Sequence, residues 1–515
     1  MKANLPDSTY QRYAIGLIFL ALIVRTLYSV FYPVNLAGDE AYYWDWGRRP
    51  AMGYFSKPPM IAWIYAVVDK VAGASLLSIR VTAILFGTAS LFVTYWFTKK
   101  LFDSRTALFA VIIALSIPGN CLLNFVLTID APLVLVWSLS LLFFWNYING
   151  ERKGLSLFLL FLCIGLGHLS KQMMLFFPPL AIAFLASGAE TRHLLKKPGT
   201  WLAIFGSLIF LAPPLIWNSQ NDWITFTHMS THVGAKQEPT LWATLYERVE
   251  TFLEFFGSQL GALSPVTAVL LFMLTVVGAF KYRNISTRSR YLIVFCGVPL
   301  VLILVVAMFQ KVQPNWPAVL YLAGVPMVAA WFTKVIDWFP VEDKNRKRLF
   351  RFAIIPGFLL CAFFYFSPMV FSLAGAEGHK ANPNRRLIGS ARFAKAVQEV
   401  RETIPGWETA FVAVAGHRYD TSHLAFGLPD RPRVYNILRS QVDSQYKVWP
   451  GPWEDGKQGQ NAIIVLPGIH SSPFPPIPKS FEEVKLIDQI EVQFGSGIGK
   501  FSIFHAKKMT QPLPL

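Results

Sequence analysis

Long apolar runs are the feature that most constrains the fold of this chain. The first 370 residues contain eleven runs, most of them near the ~20 residues that a helix needs to cross a bilayer. We predict helices near 13–32, 77–98, 106–119, 131–148, 155–169, 172–187, 200–217, 263–280, 291–309, 317–333 and 352–370. The runs 106–119 and 155–169 are short for a full span and would need tilt, a break or extension by their flanks. The pattern predicts a polytopic α-helical membrane protein with about 11 or more transmembrane helices.

The composition agrees with a membrane protein. Hydrophobic residues make up 54% of the chain, charged residues 15%, and the mean hydropathy is +0.42. Soluble domains have about 25% charged residues. The formal net charge of +17 has two interpretations: Lys and Arg concentrated in cytoplasmic loops, or attraction to anionic lipid, phosphate or nucleic acid. We favour the first because most of these cations lie in short loops between apolar runs, and we expect no nucleic-acid partner.

The positions of the Lys and Arg residues predict the orientation of the chain. Clusters of these cations fall on alternate loops, at 99–105, 152–153, 192–197, 281–290 and 334–351. The positive-inside rule makes that side cytoplasmic, with the N-terminus inside on an uncleaved first helix. The outer side then holds the loops 33–76, 120–130, 218–262 and 310–316 and the tail after about residue 370. We expect a multi-pass membrane protein with its C-terminal domain on the outer face of the membrane.

The tail differs from the rest of the chain and predicts a second domain. It is rich in Pro, Gly and charged residues, and its short apolar runs predict buried strands. These runs are Ala410 to Ala415, Ala462 to Leu466, Val484 to Ile490 and Phe501 to His505. Residues 391–403 have helical apolar spacing that ends before Pro405. We predict a transmembrane domain over 1–370 and an extracytoplasmic α/β domain over 371–515.

The first outer loop combines acids, bases and aromatic rings. Asp39, Glu40 and Asp45 lie close to Lys57 in a segment rich in Tyr and Trp. Carboxylates can act as general bases or bind cations, a lysine can neutralise phosphate, and Tyr and Trp prefer the membrane–water boundary. Acids that follow a helix end can also be no more than solvated loop charges. The combination favours chemistry on a phosphate-bearing lipid at the membrane face.

This loop also resembles a known family. The stretch Asp-Glu-Ala-Tyr-Tyr-Trp-Asp-Trp, followed by Gly-Tyr-Phe-Ser-Lys-Pro-Pro-Met, resembles the first outer loop of GT-C glycosyltransferases. It is similar to the aminoarabinose, galacturonic acid and protein mannosyltransferase-like branch, which takes sugars from polyprenyl phosphate. The resemblance implies that Asp39 is the catalytic base, with Glu40 adjacent, and that Lys57 contacts the donor phosphate. It implies pocket positions at Tyr42, Tyr43, Tyr54, Phe55 and Pro58.

One residue departs from the family pattern and bears on metal binding. The aminoarabinose transferase has a glutamate, linked to a metal site, where this chain has Ser56. We therefore assign no metal ligand and no cofactor. The sequence does not decide whether a divalent cation binds. The four cysteines lie inside apolar runs and support neither a disulfide framework nor a zinc site. His228 and His232 have the i, i+4 spacing of helical metal ligands, but no third ligand is evident, which favours a surface loop near the substrate entrance.

Two further polar residues mark the ends of later apolar runs. Asp130 lies in Thr-Ile-Asp-Ala-Pro at an outer helix start, where it can cap the helix, favour the helix dipole or take part in catalysis. The family carries a similar Thr-x-Asp-x-Pro element, which implies a place for Asp130 in the catalytic pocket. Lys171 in His-Leu-Ser-Lys-Gln is either an interfacial lysine or, by resemblance to a Thr-Lys-Gly turn, a contact for phosphate.

The turn from Gln310 to Pro317 is a third outer element with a lysine and an aromatic ring. It is either a proline-broken loop with an interfacial Trp or, by resemblance, part of the donor head-group site, with Lys311, Asn315 and Trp316 in the pocket. Arg248 in the preceding outer loop is a further candidate for a phosphate contact. Lys57, Lys171 and Lys311 would supply three cations on one face, as a phosphate leaving group requires.

These observations predict an inverting glycosyltransferase. It would move a sugar from a polyprenyl (undecaprenyl) phosphate donor to a lipid acceptor, such as lipid A or the lipopolysaccharide core, at the outer face of the inner membrane. Two alternatives stay open: a protein O-glycosyltransferase of the same fold, and a flippase or transporter of lipid-linked sugars. A transporter would need polar residues within the bilayer and repeat architecture. The chain has few intramembrane charges beyond Arg25 and Arg80, and no internal repeat.

Overall fold

A computed structural model describes residues 5–32, 34–231, 241–437, 442–494 and 497–513. These residues form two compact units. The helical unit comprises the described parts of 1–30, 80–216 and 229–363, and the mixed unit comprises those of 31–79, 217–228 and 364–515.

Helices account for most of the first three quarters of the chain. In chain order they are α1 Asp7–Phe31, α2 Gly38–Gly47, α3 Met60–Ala72, α4 Leu76–Leu101, α5 Ser104–Leu115, α6 Pro118–Leu123, α7 Asp130–Ile148, α8 Lys153–Ser170, α9 Phe177–Ser187, α10 Ala189–Arg192, α11 Pro198–Gly206, α12 Ala212–Ser219, α13 Ile224–Thr231, α14 Leu241–Leu263, α15 Pro265–Phe280, α16 Thr287–Leu292, α17 Val298–Ala307, α18 Tyr321–Phe332 and α19 Asp343–Leu373. Proline at a first helical position begins several of them, among them α6, α11 and α15, because its missing N–H has no partner there in any case.

Seven helices in the described residues are long and apolar enough to cross a membrane. They are Asp7–Phe31, Leu76–Leu101, Asp130–Ile148, Lys153–Ser170, Pro198–Ser219, Thr287–Ala307 and Asp343–Leu373. Two sharply bent pairs, Gln172–Ser187 with Ala189–Lys196 and Tyr246–Leu263 with Pro265–Phe280, raise the number to nine if each is one span. The predicted run 155–169 is therefore an 18-residue helix, whereas the runs 106–119 and 317–333 contain the shorter helices α5 and α18. The count of about 11 spans stays a prediction.

Aromatic packing forms the core of the helical unit. The ring of Tyr291 contacts the rings of Phe144, Phe184 and Phe295, with centroids 4.7 to 5.9 Å apart. Its hydroxyl donates to the carbonyl of Leu141 at 2.8 Å, which satisfies the polar atom of a fully buried residue. Four helical segments are thereby joined at one residue.

The tail forms a mixed five-stranded sheet within the mixed unit. Its strands are β1 Phe411–Val414, β2 Val434–Asn436, β3 Ala462–Pro467, β4 Phe481–Phe494 and β5 Gly497–Met509, in the order β2-β1-β3-β5-β4. The first three strands of that order are parallel, and β5 is antiparallel to both β3 and β4. The helices of the tail are α20 Ser390–Glu402, α21 Arg418–Gly427 and α22 Pro476–Lys479. All four predicted strands and the predicted helix are confirmed, whereas β2 and α21 were not predicted.

Candidate functional site

The acidic segment of the first loop is a short helix, α2. Glu40 is fully buried, and its Oε2 accepts the backbone N–H of Ala37 at 2.9 Å, which satisfies a donor at the helix start. Asp39 and Glu40 both lie in the first turn, where negative charge is favoured by the helix dipole. The two neighbouring carboxylates therefore differ, because Glu40 caps the helix whereas Asp39 is half-buried at its surface.

Asp39 lies against residues of the tail. The hydroxyl of Tyr419 donates to Asp39 Oδ1 at 2.9 Å, and Arg418 Nη2 donates to the hydroxyl of Tyr419 at 3.3 Å. Burial and the charge of Asp39 raise the pKa of Tyr419, so its hydroxyl stays protonated and donates at neutral pH. The guanidinium of Arg418 also lies over the rings of Tyr419 and Tyr42, at 4.9 and 5.6 Å from their centroids. An acid, a phenol and a cation thus meet at the start of α2.

Close packing of α2 on α21 holds this arrangement. A Cβ atom on Gly38 would lie 2.4 to 2.6 Å from the ring of Tyr419, so only glycine allows the ring to reach Asp39. The start of α21 is fixed in turn by its cap. His417 Nδ1 accepts the N–H of Tyr419 at 3.3 Å, and Asp420 accepts the N–H of His417 at 3.0 Å.

The predicted pocket aromatics form a buried stack behind Asp39. The ring of Trp46 lies parallel to Tyr54, with centroids 4.4 Å apart, and meets Tyr42 and Tyr43 edge-on at 4.8 and 5.1 Å. Tyr42 accepts the backbone N–H of Gln445, and burial raises its pKa well above the ordinary value. All four rings are buried, so their packing keeps this side of the candidate site rigid.

Asp45 forms an ion pair that has a structural role. Its fully buried carboxylate lies 3.3 Å from Arg48 and 3.7 Å from Arg49. Arg48 also donates to the carbonyls of Arg431 and Pro432, and Arg49 lies over the ring of Trp449 at 4.0 Å. These contacts tie the C-terminal end of α2 to the tail.

The segment after α2 brings the predicted phosphate ligand into the same unit. The hydroxyl of Tyr54 donates to backbone carbonyls, including that of Arg49 at 3.0 Å, and the N–H of Phe55 donates to Gln445 at 2.6 Å. Pro58 is buried, whereas Lys57 is half-buried. Phe55 also contacts the ring of His228 at 4.5 Å, while His232 lies outside the described residues.

In the helical unit, Asp130 is the centre of a second polar cluster. Lys171 Nζ donates to Asp130 Oδ1 at 2.7 Å, and Asn315 Nδ2 donates to Asp130 Oδ2 at 2.7 Å. The side chains of Lys171 and Asp130 are 10% and 5% exposed, so this is a buried ion pair. The three predicted site residues come from separate helix ends, at the start of α7, the end of α8 and the turn before α18.

The remaining predicted cations lie at the surface of the helical unit. Lys311 pairs with Glu254 at 3.1 Å, and these side chains are 71% and 61% exposed. Arg248 is exposed and lies over the ring of Phe309, 5.0 Å from its centroid, and Trp316 is partly exposed. In the part of the chain that the structure describes, no three His, Cys, Asp or Glu residues form a group that could hold a metal ion.

Comparison with known proteins finds a similar family segment and a similar fold. Residues 56–217 match the model of the dolichyl-phosphate-mannose-protein mannosyltransferase family, a segment that contains Lys57, Asp130 and Lys171. Over nearly its whole length the chain has the fold of ArnT from Cupriavidus metallidurans. The TM-score is 0.59 at 14% identity, covering 97% of this chain and 98% of the ArnT chain. The chain is therefore similar to this mannosyltransferase family over residues 56–217 and has the fold of ArnT.

Two further solved structures have a similar fold. The structure of the same ArnT bound to undecaprenyl phosphate matches with a TM-score of 0.57 at 14% identity, covering 96% of this chain and 97% of the other. An oligosaccharyltransferase of Archaeoglobus fulgidus matches with a TM-score of 0.53 at 13% identity, covering 88% of this chain and 69% of the other. At these identities the likeness shows the fold alone.

A curated relative is similar in sequence as well. The lipid A galacturonosyltransferase RgtD of Rhizobium johnstonii is 28% identical over 298 residues. The match covers 57% of this chain and 59% of that relative's length. The family match over residues 56–217 agrees with the predicted resemblance, and a mostly helical, multi-pass membrane protein with a C-terminal sheet is confirmed.

Sequence reasoning missed Arg418 and Tyr419. They lie in a polar segment, His-Arg-Tyr-Asp, without a local motif, 379 and 380 positions from Asp39. Only the packing of α21 on α2 brings them to the acid. The one local signal was Gly38, because a glycine at a helix start allows another element to approach closely.

Proposed function

We propose that this GT-C protein is an inverting glycosyltransferase. It takes a sugar from a polyprenyl phosphate and transfers it to a lipid acceptor at the outer face of the membrane. The observation that carries this proposal is a half-buried aspartate, Asp39, held by Tyr419 beside the cation of Arg418. An oriented carboxylate that faces solvent on one side is what a general base needs.

In the proposed reaction, an acceptor hydroxyl attacks the anomeric carbon of the donor. Asp39 takes the hydroxyl proton as the new carbon–oxygen bond forms. The bond between the anomeric carbon and the phosphate oxygen breaks, and its electron pair leaves with the polyprenyl phosphate. A single displacement inverts the anomeric centre, by the logic that applies to inverting hydrolases.

Cations stabilise the negative charge that develops on the leaving phosphate. Lys57 is the first candidate, because it lies in the Tyr-Phe-Ser-Lys-Pro element that resembles the first outer loop of GT-C glycosyltransferases. Lys171 is paired with Asp130, so we assign this pair and Asn315 to shaping the donor pocket. Lys311 and Arg248, which are exposed at the surface of the helical unit, are further candidates for a phosphate contact. We assign no step of the proposed reaction to a metal ion.

The acceptor that we favour is lipid A or the lipopolysaccharide core. The relative RgtD is named a lipid A galacturonosyltransferase, which supports a lipid acceptor and an acidic sugar. The family name, a protein mannosyltransferase, supports the alternative of a protein acceptor. The proposal includes the predicted orientation, with the N-terminus cytoplasmic and residues 371–515 periplasmic, in a bacterial inner membrane.

Mass spectrometry of lipid A and core fractions tests the proposal. Cells would carry the wild type, Asp39→Asn, no protein, or the control Asp488→Asn, which changes an exposed aspartate of β4. We expect a sugar-sized mass increase with the wild type and the control, and none with Asp39→Asn or without protein. An unmodified lipid fraction in all four strains would remove this acceptor, and glycoproteins would be analysed next. Flipping of lipid-linked sugar without any transfer would favour the transporter.

A further inference from the structure

We propose that the tail completes the catalytic site by supplying Tyr419 as the positioning residue of Asp39, with Arg418 behind it. This inference rests on the proposed function and extends it to a part of the chain that the family motif does not include. The matched family segment ends at residue 217, whereas these two residues begin α21. Neither residue is assigned a role by its sequence context.

The hydrogen-bond geometry carries the inference. Arg418 donates to the hydroxyl of Tyr419, which donates to Asp39 Oδ1. Within the described residues this is the one hydrogen bond that the Asp39 side chain makes, so Oδ2 can receive the proton of an acceptor hydroxyl. A chain of donors ending on a carboxylate polarises each bond and holds the carboxylate in one orientation. Tyr419 therefore fixes the direction of the base.

Contacts of both its backbone and its ring hold Tyr419 in place. Its backbone N–H is held by His417, whose ring also meets the phenol ring edge-on at 4.5 Å. A Cβ atom on Gly416, just before that cap, would lie 2.8 Å from both the Asp420 carboxylate and Pro467, so the chain enters α21 by a tight path. On the opposite side the ring contacts Gly38. Rigid support of this kind is what keeps a reacting group in productive geometry.

Several ionisable groups surround Asp39 and bear on its pH dependence. Glu40 and Tyr42 belong to α2, and Arg418, Tyr419, His417 and His423 come from α21. Burial lowers the pKa of His423 to about 4, so it stays neutral at and above pH 6. Burial raises the pKa of Tyr42, which also stays neutral. His417 accepts the backbone N–H of Tyr419, so it needs its own variant.

The experiment measures the pH dependence of kcat and KM for Tyr419→Phe. The protein is the full chain in detergent, and the donor is the undecaprenyl phosphate form of the sugar identified by the mass increase. Phe keeps the ring against Gly38 and His417 and removes only the hydroxyl. We expect kcat to fall about 10- to 100-fold, the loss expected for one hydrogen bond to a charged group. The acidic limb of the pH profile changes with the loss of this donor to Asp39, while KM for the sugar donor changes little.

Three further variants separate positioning from structure. Tyr435→Phe removes the hydrogen bond from Tyr435 to Asp455, at 2.8 Å, elsewhere in the tail, and should leave both kcat and the profile unchanged. His417→Asn keeps an acceptor for the N–H of Tyr419 and should leave the acidic limb in place. Arg418→Lys, which keeps the charge, should retain more activity than Arg418→Gln.

The outcomes distinguish this inference from the proposed function. Wild-type transfer, together with an unchanged kcat and acidic limb in Tyr419→Phe, would overturn the role of the tail and leave the transferase standing. An equal loss in Tyr435→Phe would also overturn it, because the effect would then be one of folding. Absence of transfer by the wild type would remove the proposed function and this inference with it.

Discussion

At the level of single residues, two adjacent carboxylates have opposite environments. Glu40 is fully buried and accepts the N–H of Ala37, whereas Asp39 is half-buried and accepts only from Tyr419 within the described residues. We expect Glu40→Ala to lower the free energy of unfolding by about 1–3 kcal/mol, since a buried donor loses its partner. Asp39→Ala should cost less stability but abolish transfer.

Thermal unfolding of the purified variants in detergent measures this difference, and activity is assayed on the fraction that stays folded. Glu408→Ala, which changes an exposed glutamate of the tail, is the matched control. A Glu40→Ala protein that is as stable as the wild type yet inactive would show that Glu40 takes part in the reaction.

The ion pair between Asp130 and Lys171 gives a second prediction at this level. Removing one partner of a buried pair leaves the other charge without compensation, which costs about 3–5 kcal/mol, whereas replacing both by apolar groups is often close to neutral. Lys171→Met and Asp130→Leu should each lower the unfolding temperature more than the double variant does. Additive losses in the double variant would contradict a coupled pair. The measurement is thermal unfolding, because all three variants change the proposed donor pocket.

At the level of elements, the contact between α2 and α21 depends on one glycine. Alanine normally stabilises a helix relative to glycine by about 1 kcal/mol. At Gly38, however, a Cβ atom would lie 2.4 Å from Tyr419, so we expect Gly38→Ala to displace the phenol and lower both stability and transfer. Gly16→Ala is the matched control, because no atom lies within 4 Å of the added methyl group in α1. Equal unfolding temperatures and rates for the two variants would contradict the close approach.

The elements that the sequence predicted are those with a strong local signal. The long runs became α1, α4, α7, α8 and α19, because continuous apolar residues near 20 in number can only be spanning or buried helices. The strand run 462–466 became β3, and all five of these residues are buried. The polar segment of α21 has no apolar periodicity, and its helix is stabilised by the His417–Asp420 cap and by packing on α2. Tertiary contacts determine the secondary structure of segments that have no apolar periodicity.

In the candidate site too, local sequence patterns predict individual residues, whereas contacts between distant residues do not follow from the sequence. Asp39 and Lys57 are predicted as site residues because a motif marks them, and Asp130 because a helix-start pattern does. The hydrogen bonds from Lys171 and Asn315 to Asp130 join residues 41 and 185 positions apart, and no spacing rule covers such distances. The sequence also grouped Lys311 with the phosphate ligands, but its contact with Glu254 depends on how α14 lies beside the 310–316 turn. Proximity between distant residues required the structure.

At the level of the whole molecule, the distribution of charge makes a prediction about orientation. The cluster from Lys334 to Arg351 should be cytoplasmic and the tail periplasmic, since Lys and Arg collect on the cytoplasmic side. The native cysteines, Cys121, Cys163, Cys296 and Cys361, are all buried, so a new surface cysteine can be labelled over a low background. Lys344 and Lys479 are both exposed lysines and give a matched pair on the two predicted sides.

Labelling with a membrane-impermeant maleimide decides the orientation. In intact spheroplasts, Lys479→Cys should react and Lys344→Cys should be protected, because the reagent reaches only the outer face. After the membrane is permeabilised, both should react to the same extent, which controls for intrinsic thiol reactivity. Reaction of Lys344→Cys before permeabilisation, or protection of Lys479→Cys, would reverse the orientation. Because Arg418 and Tyr419 belong to the tail, that result would also place Asp39 on the cytoplasmic side, where a donor carried on the outer leaflet could not reach it.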